Sequence, residues 1–163
     1  MGERGNIVFL FPAEEAGAQQ RRIYLYTHWR GHLVHEILRE AMNWKEHWPA
    51  GFGKLTGTVR ESCRWYDASY FARVVFCRLV AGDEKGVLSF GISPDRTLPD
   101  YDELHVDVEA KEIRQVRLDP LREGESLFEG MREVVTARWT FDEFAEGVAK
   151  VEARDDAELG VEP

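Results

Sequence analysis

The sequence predicts an α+β domain, a mostly antiparallel sheet with about three helices packed on one face. Two observations carry this. Leu104, Val106 and Val108 alternate with His105, Asp107 and Glu109, the pattern of an antiparallel strand covered on one side only, which argues against a doubly wound parallel sheet. Leu33, Val34, Ile37, Leu38, Ala41 and Met42 recur at helical spacing, with His32, His35, Glu36, Arg39, Glu40 and Asn43 on the opposite side.

From the N-terminus, Ile7 to Phe11 is a β-rich run stopped by Pro12. Arg22 to Trp29 is a second, with Ile23, Leu25 and Thr27 facing one way and Tyr24, Tyr26 and His28 the other. The two read as a hairpin joined by Ala13 to Gln20. The amphipathic helix follows over about 32–43. Between Trp44 and Ser62 the periodicity is lost among Pro49, Gly51, Gly53 and Gly57, which reads as a surface loop pinned by aromatics. Asp67 or Ser69 can cap a second helix over about 70–81, whose apolar residues surround most of its circumference. Three strands are expected at 87–92, 103–109 and 113–118, arranged as a meander with Ala110-Lys111-Glu112 as the last turn. A further strand over 134–139 leads into Thr140, which forms a capping box with Glu143 and starts a third helix. The domain is expected to span 1–150, and 151–163 reads as an acidic flexible tail.

A chain of 163 residues is the size of one domain, and 44% hydrophobic content is enough for a packed core. The formal net charge of −9 disfavours nonspecific binding to nucleic acid or anionic membranes. Two cysteines, Cys63 and Cys77, form neither a disulfide framework nor a zinc pattern, and the apolar run after Asn6 is too short for a membrane span. A cytoplasmic setting without disulfides is expected.

Motifs with a defined chemistry are scarce. His28, His32 and His35 are close in sequence, but His28 falls on a strand and the other two on a helix. HExxH is absent, so no metal is expected. Gly51 to Gly57 lacks P-loop spacing and no GxGxxG occurs, so no cofactor is expected either. Gly91-Ile92-Ser93-Pro94-Asp95 is no nucleophile elbow. Cys77 falls within the apolar helix and reads as a small hydrophobe.

Two segments stand out for mixing large aromatics with cationic and hydrogen-bonding groups beside predicted helix starts. They are Tyr26-Thr27-His28-Trp29-Arg30-Gly31 and Arg64-Trp65-Tyr66-Asp67-Ala68-Ser69-Tyr70-Phe71-Ala72-Arg73. In these the chain resembles small proteins of actinobacteria and their phages that carry YTHWxG and RWDDxxYxxR stretches, with Tyr66 standing at the first Asp of the second pattern. The likeness extends over about residues 1–110. It implies a shared fold unit and a host context, and no mechanism.

The expected function is a small intracellular binding or regulatory module, with a phage connection implied by the resemblance. Its ligand-binding residues are expected to be His28, Trp29, Arg64, Trp65 and Arg73, taking a small anionic ligand or a protein partner. The alternative is a small enzyme in which His28 is a general base oriented by Asp67, since imidazole exchanges protons near neutral pH. Both expectations require the two segments to meet in space.

Overall fold

The computed structural model describes residues 3–12, 20–43, 68–81, 90–120, 131–148 and 151–152. The order of elements is β1 (Gly5–Phe11), β2 (Arg21–Thr27), a 3-10 turn (Gly31–Leu33), α1 (Val34–Met42), α2 (Ala68–Ala81), β3 (Phe90–Ser93), β4 (Glu103–Asp107), β5 (Glu112–Pro120), β6 (Met131–Thr140), α3 (Phe141–Glu146) and β7 (Val151–Glu152). They form an α+β domain with one sheet, in the order β3-β2-β1-β4-β5-β6-β7.

All strand pairings are antiparallel except that of β1 with β4, where Ile7 lies opposite Leu104. The expected hairpin of β1 and β2 is present, with Gly5 opposite Thr27 and Phe11 opposite Arg21. The expected meander is not: β3 lies at the far edge beside β2, and the chain crosses over to place β4 on the other side of β1. Of the three strands expected to form it, only β4 and β5 are neighbours. Val151–Glu152 pairs with Ala137 and Arg138, so the sheet runs two residues into the stretch expected to be tail; residues 153–163 lie outside the described residues.

One face of the sheet carries the helices. Ile7, Phe9, Leu25, Leu104, Val106, Ile113, Ala137 and Trp139 pack there against Val34, Leu38, Ala41 and Met42 of α1, Phe71, Val75 and Leu79 of α2, and Phe141 and Phe144 of α3. The alternation that marks these strands in the sequence selects this set, because successive side chains point to opposite faces. At α3 the Thr140 hydroxyl accepts from the Glu143 amide while the Glu143 carboxylate accepts from the Thr140 amide, and Gly147 closes the helix in the left-handed region at φ 74°.

Three side chains stand differently from expectation on this side. His35 is half-buried, its ring 5.7 Å from Phe144 and 5.8 Å from Trp139, so the imidazole extends the aromatic core instead of facing water. Cys77 is exposed on α2, and Val80 beside it is exposed too, so α2 is buried along a stripe and not all round.

The opposite face is the larger departure. Glu103, His105 and Asp107 are buried, so β4 is covered on both sides. Val8, Leu10 and Tyr24 form a second apolar cluster on this face. The cover follows from curvature. Arg22 of β2 pairs with Glu133 of β6, although these strands are four places apart, roughly 19 Å across a flat sheet. An Arg–Glu pair cannot bridge that span, so the sheet curls until its two sides approach. The register shift between Gln115 and Val116 supplies a local bend where β5 and β6 turn inward. Asp102 holds the bend, accepting hydrogen bonds from Gln115 and Thr136.

Candidate functional site in the concave face

The side chains inside the curl come from five parts of the chain. Period-two alternation sends Arg22 and Tyr24 inward from β2, Glu103 and His105 from β4, and Glu133 from β6, while Arg96 enters from the connection between β3 and β4. Asn6 of β1 completes the set. Its Nδ2 donates to the Thr97 carbonyl at 2.6 Å and to Glu103 Oε1 at 2.8 Å.

Two carboxylates organise the cations. Glu103 is fully buried, and its Oε2 lies 2.9 Å from His105 Nε2 and 3.1 Å from Arg96 Nη2. Glu133 takes the fork of Arg22 on both oxygens, with Arg22 Nη2 3.2 Å from Oε2, and its Oε1 also accepts from Arg96 Nη2. Three guanidinium N–H groups therefore converge on the Glu133 carboxylate. Arg96 also lies over the Tyr24 ring, 5.6 Å from its centroid.

The electrostatics are strong because the groups are partly withdrawn from water. Burial opposes ionisation of Glu133, but the hydrogen bonds from Arg22 and Arg96 outweigh it and hold this carboxyl at about 2. Glu133 in turn raises Arg22, with burial opposing and a smaller contribution from the Tyr24 hydroxyl. For Arg96, burial favours the neutral form, and the charges of Glu103 and Glu133 overcome it. Donor capacity is left over: among the described residues, Nε of Arg22 and Nε of Arg96 are buried without a hydrogen-bond partner. A buried N–H with no acceptor costs free energy, so both mark positions where an additional acceptor is stabilising.

The residues singled out in the sequence lie elsewhere. His28 and Trp29 follow β2 at the end of the sheet where β1 begins, in edge-to-face contact with centroids 4.7 Å apart, and Trp29 is 50% exposed. The turn is held by the Thr27 hydroxyl accepting from the Arg30 amide and by the Gly31 amide donating to the Glu3 carbonyl at 2.7 Å. Gly31 also presses on β1, for a Cβ on Gly5 would lie 2.6 Å from the Gly31 Cα. The nearby carboxylate that feels the charge of His28 is Asp100, held low first by its side-chain and backbone hydrogen bonds with Arg4. His32 pairs with Glu3 and approaches Tyr101. Arg73 projects from α2 and covers the Tyr70 ring at 4.5 Å. Phe71, in the first turn of α2, packs on Phe9 and Phe141, while Phe76 farther along packs on Phe90, which is opposite Thr27. The helix thus enters away from the His28 end and runs toward it. Arg64, Trp65 and Asp67 lie outside the described residues.

None of the concave-face residues was singled out in the sequence. The alternation of β4 places His105 on a solvated face, and Arg22, Arg96, Glu103 and Glu133 carry no motif. The one signal available was the charge density on strands otherwise rich in β-branched residues.

No helix among the described residues is long and apolar enough to cross a membrane. The chain matches no family model, no curated protein and no solved structure.

Proposed function

We propose that this chain is a small cytoplasmic binding or regulatory module that takes a small anionic ligand in the concave face of its sheet, through Arg22 and Arg96. The observation that carries this reading is the pair of guanidiniums converging inside the curl, each with a buried Nε that has no acceptor among the described residues. Curved sheets hold small ligands on their inner face, and arginine offers a rigid planar fork to carboxylate and phosphate. Tyr24, Val8 and Leu10 provide an apolar floor, the usual complement to a few fixed polar groups in a ligand site.

Titration calorimetry with small carboxylates and phosphate esters tests it, together with NMR of the Tyr24 and His105 signals. Binding should shift both signals and disappear in Arg22→Ala and Arg96→Ala. Binding that survives both substitutions, or shifts confined to the His28 and Trp29 end, would overturn it.

A second reading, an enzyme with a histidine general base, is favoured by the 2.9 Å contact of His105 Nε2 with Glu103, an arrangement that orients an imidazole. It predicts turnover of the bound ligand that is lost in His105→Ala while affinity is retained.

A further inference from the structure

Glu133 occupies the place where a ligand's anionic group would sit. Its carboxylate accepts the fork of Arg22 and one N–H of Arg96, the arrangement in which arginines receive a planar two-oxygen anion. Glu103, the other carboxylate, differs in kind. It is fully buried and fixed by Asn6, His105 and Arg96 together, whereas Glu133 is 30% exposed and, among the described residues, held by its two arginines.

From this contrast we infer that Glu133 is an internal stand-in for the ligand, and that the natural ligand is a small organic acid whose carboxylate displaces it. The inference rests on the proposed binding function and names its ligand class. A carboxylate is favoured over a phosphate because the group already seated there is a carboxylate bound side-on, and because Glu103 leaves only part of the arginine charge to be neutralised. The body of the acid is apolar. Val8, Leu10 and Tyr24 lie on the same face, and the Tyr24 ring is directly below Arg96.

Displacement conserves charge in the cluster: one carboxylate leaves the two guanidiniums and another arrives. Glu133 regains water through the exposed part of its side chain, which offsets part of what it loses. Wild-type affinity is consequently set by competition with a tethered group at high effective concentration, so removing Glu133 must strengthen binding.

The test uses the full chain with benzoate, its uncharged analogue benzamide, and inorganic phosphate. In wild type, saturating benzoate should move the Glu133 side-chain carboxyl carbon signal toward that of a free glutamate. Glu133→Ala should bind benzoate at least tenfold more tightly than wild type, with no such gain for benzamide. Glu133→Gln, which retains the shape of the side chain, serves if the alanine variant does not fold, and should show a smaller gain in the same direction. Benzoate binding to wild type that leaves the Glu133 carboxyl unmoved, or equal affinity in wild type and both variants, overturns displacement while leaving the binding function intact. A larger gain for phosphate than for benzoate overturns the ligand class. If neither wild type nor variant binds any of the anions, the binding function fails with it.

Discussion

Replacing Glu133 by Gln should flatten the acid limb of the stability curve. The Glu133 carboxyl is held at about 2 against an ordinary value of 4.5. At about 1.4 kcal/mol for each pH unit, that difference sets a ceiling of roughly 3 kcal/mol on what the ionised form adds to folding. The side chain is 30% exposed, and screening by water brings the expected figure to about 2 kcal/mol. Because the folded value lies below the unfolded one, the contribution is complete above about pH 5 and is lost as pH falls toward 2. Urea denaturation of both proteins at steps from pH 7 to pH 2 measures this directly. The stability difference between wild type and Glu133→Gln should stay constant down to about pH 5 and then shrink by about 2 kcal/mol. Other carboxyls titrate in the same range, but they do so in both proteins and cancel in the difference. Parallel curves over the whole range would refute the assignment of Glu133 to a tight pair of arginines.

Leu38 is fully buried between the helices and the sheet, so Leu38→Ala should cost about 2 to 5 kcal/mol in chemical denaturation, with a value below 1 kcal/mol contradicting its place in the core. Thr140→Ala removes one half of the capping box and should cost about 1 kcal/mol, partly restored by Thr140→Ser. Gly5→Ala places a methyl group against the Gly31 backbone and should cost roughly 1 to 3 kcal/mol, visible as a lowered Tm, because neither backbone can retreat without breaking the hydrogen bond from the Gly31 amide to the Glu3 carbonyl.

Elements defined by short-range pattern were legible in the sequence, and contacts between distant strands were not. The Thr140–Glu143 capping box, the stripe on α1 and the inward set Leu104 and Val106 are local and repeat at the period of their element. The same alternation assigned His105 and Asp107 to water, because a polar residue at every second position looks identical whether that face meets solvent or a polar interior. What covers them, Arg96 and Glu133, depends on a curl that no local pattern encodes. The meander failed for a related reason: turn chemistry predicts the pairing of β4 with β5, but the place of β3 beside β2 is a decision of the whole sheet. His35 was misassigned from residue type alone, since an imidazole can serve as an aromatic as readily as a base. Of the residues first considered for a site, His28 and Trp29 form a contact with each other, and the cations that converge inside the curl are different ones.

The parallel pairing of β1 with β4 sets a timetable for synthesis. β1 can zip to β2 as soon as residue 27 is made, but its other edge has no neighbour until Leu104 to Asp107 emerge. At about 5 to 20 residues per second, roughly 4 to 16 s pass during which a run of Ile7, Val8, Phe9, Leu10 and Phe11 presents open backbone groups on a ribosome-bound chain. Exposed apolar edges of this kind recruit other strands. The most vulnerable moment for this protein therefore comes before β4 exists, and conditions that slow elongation between β2 and β4 should lower soluble yield even when the finished fold is fully stable.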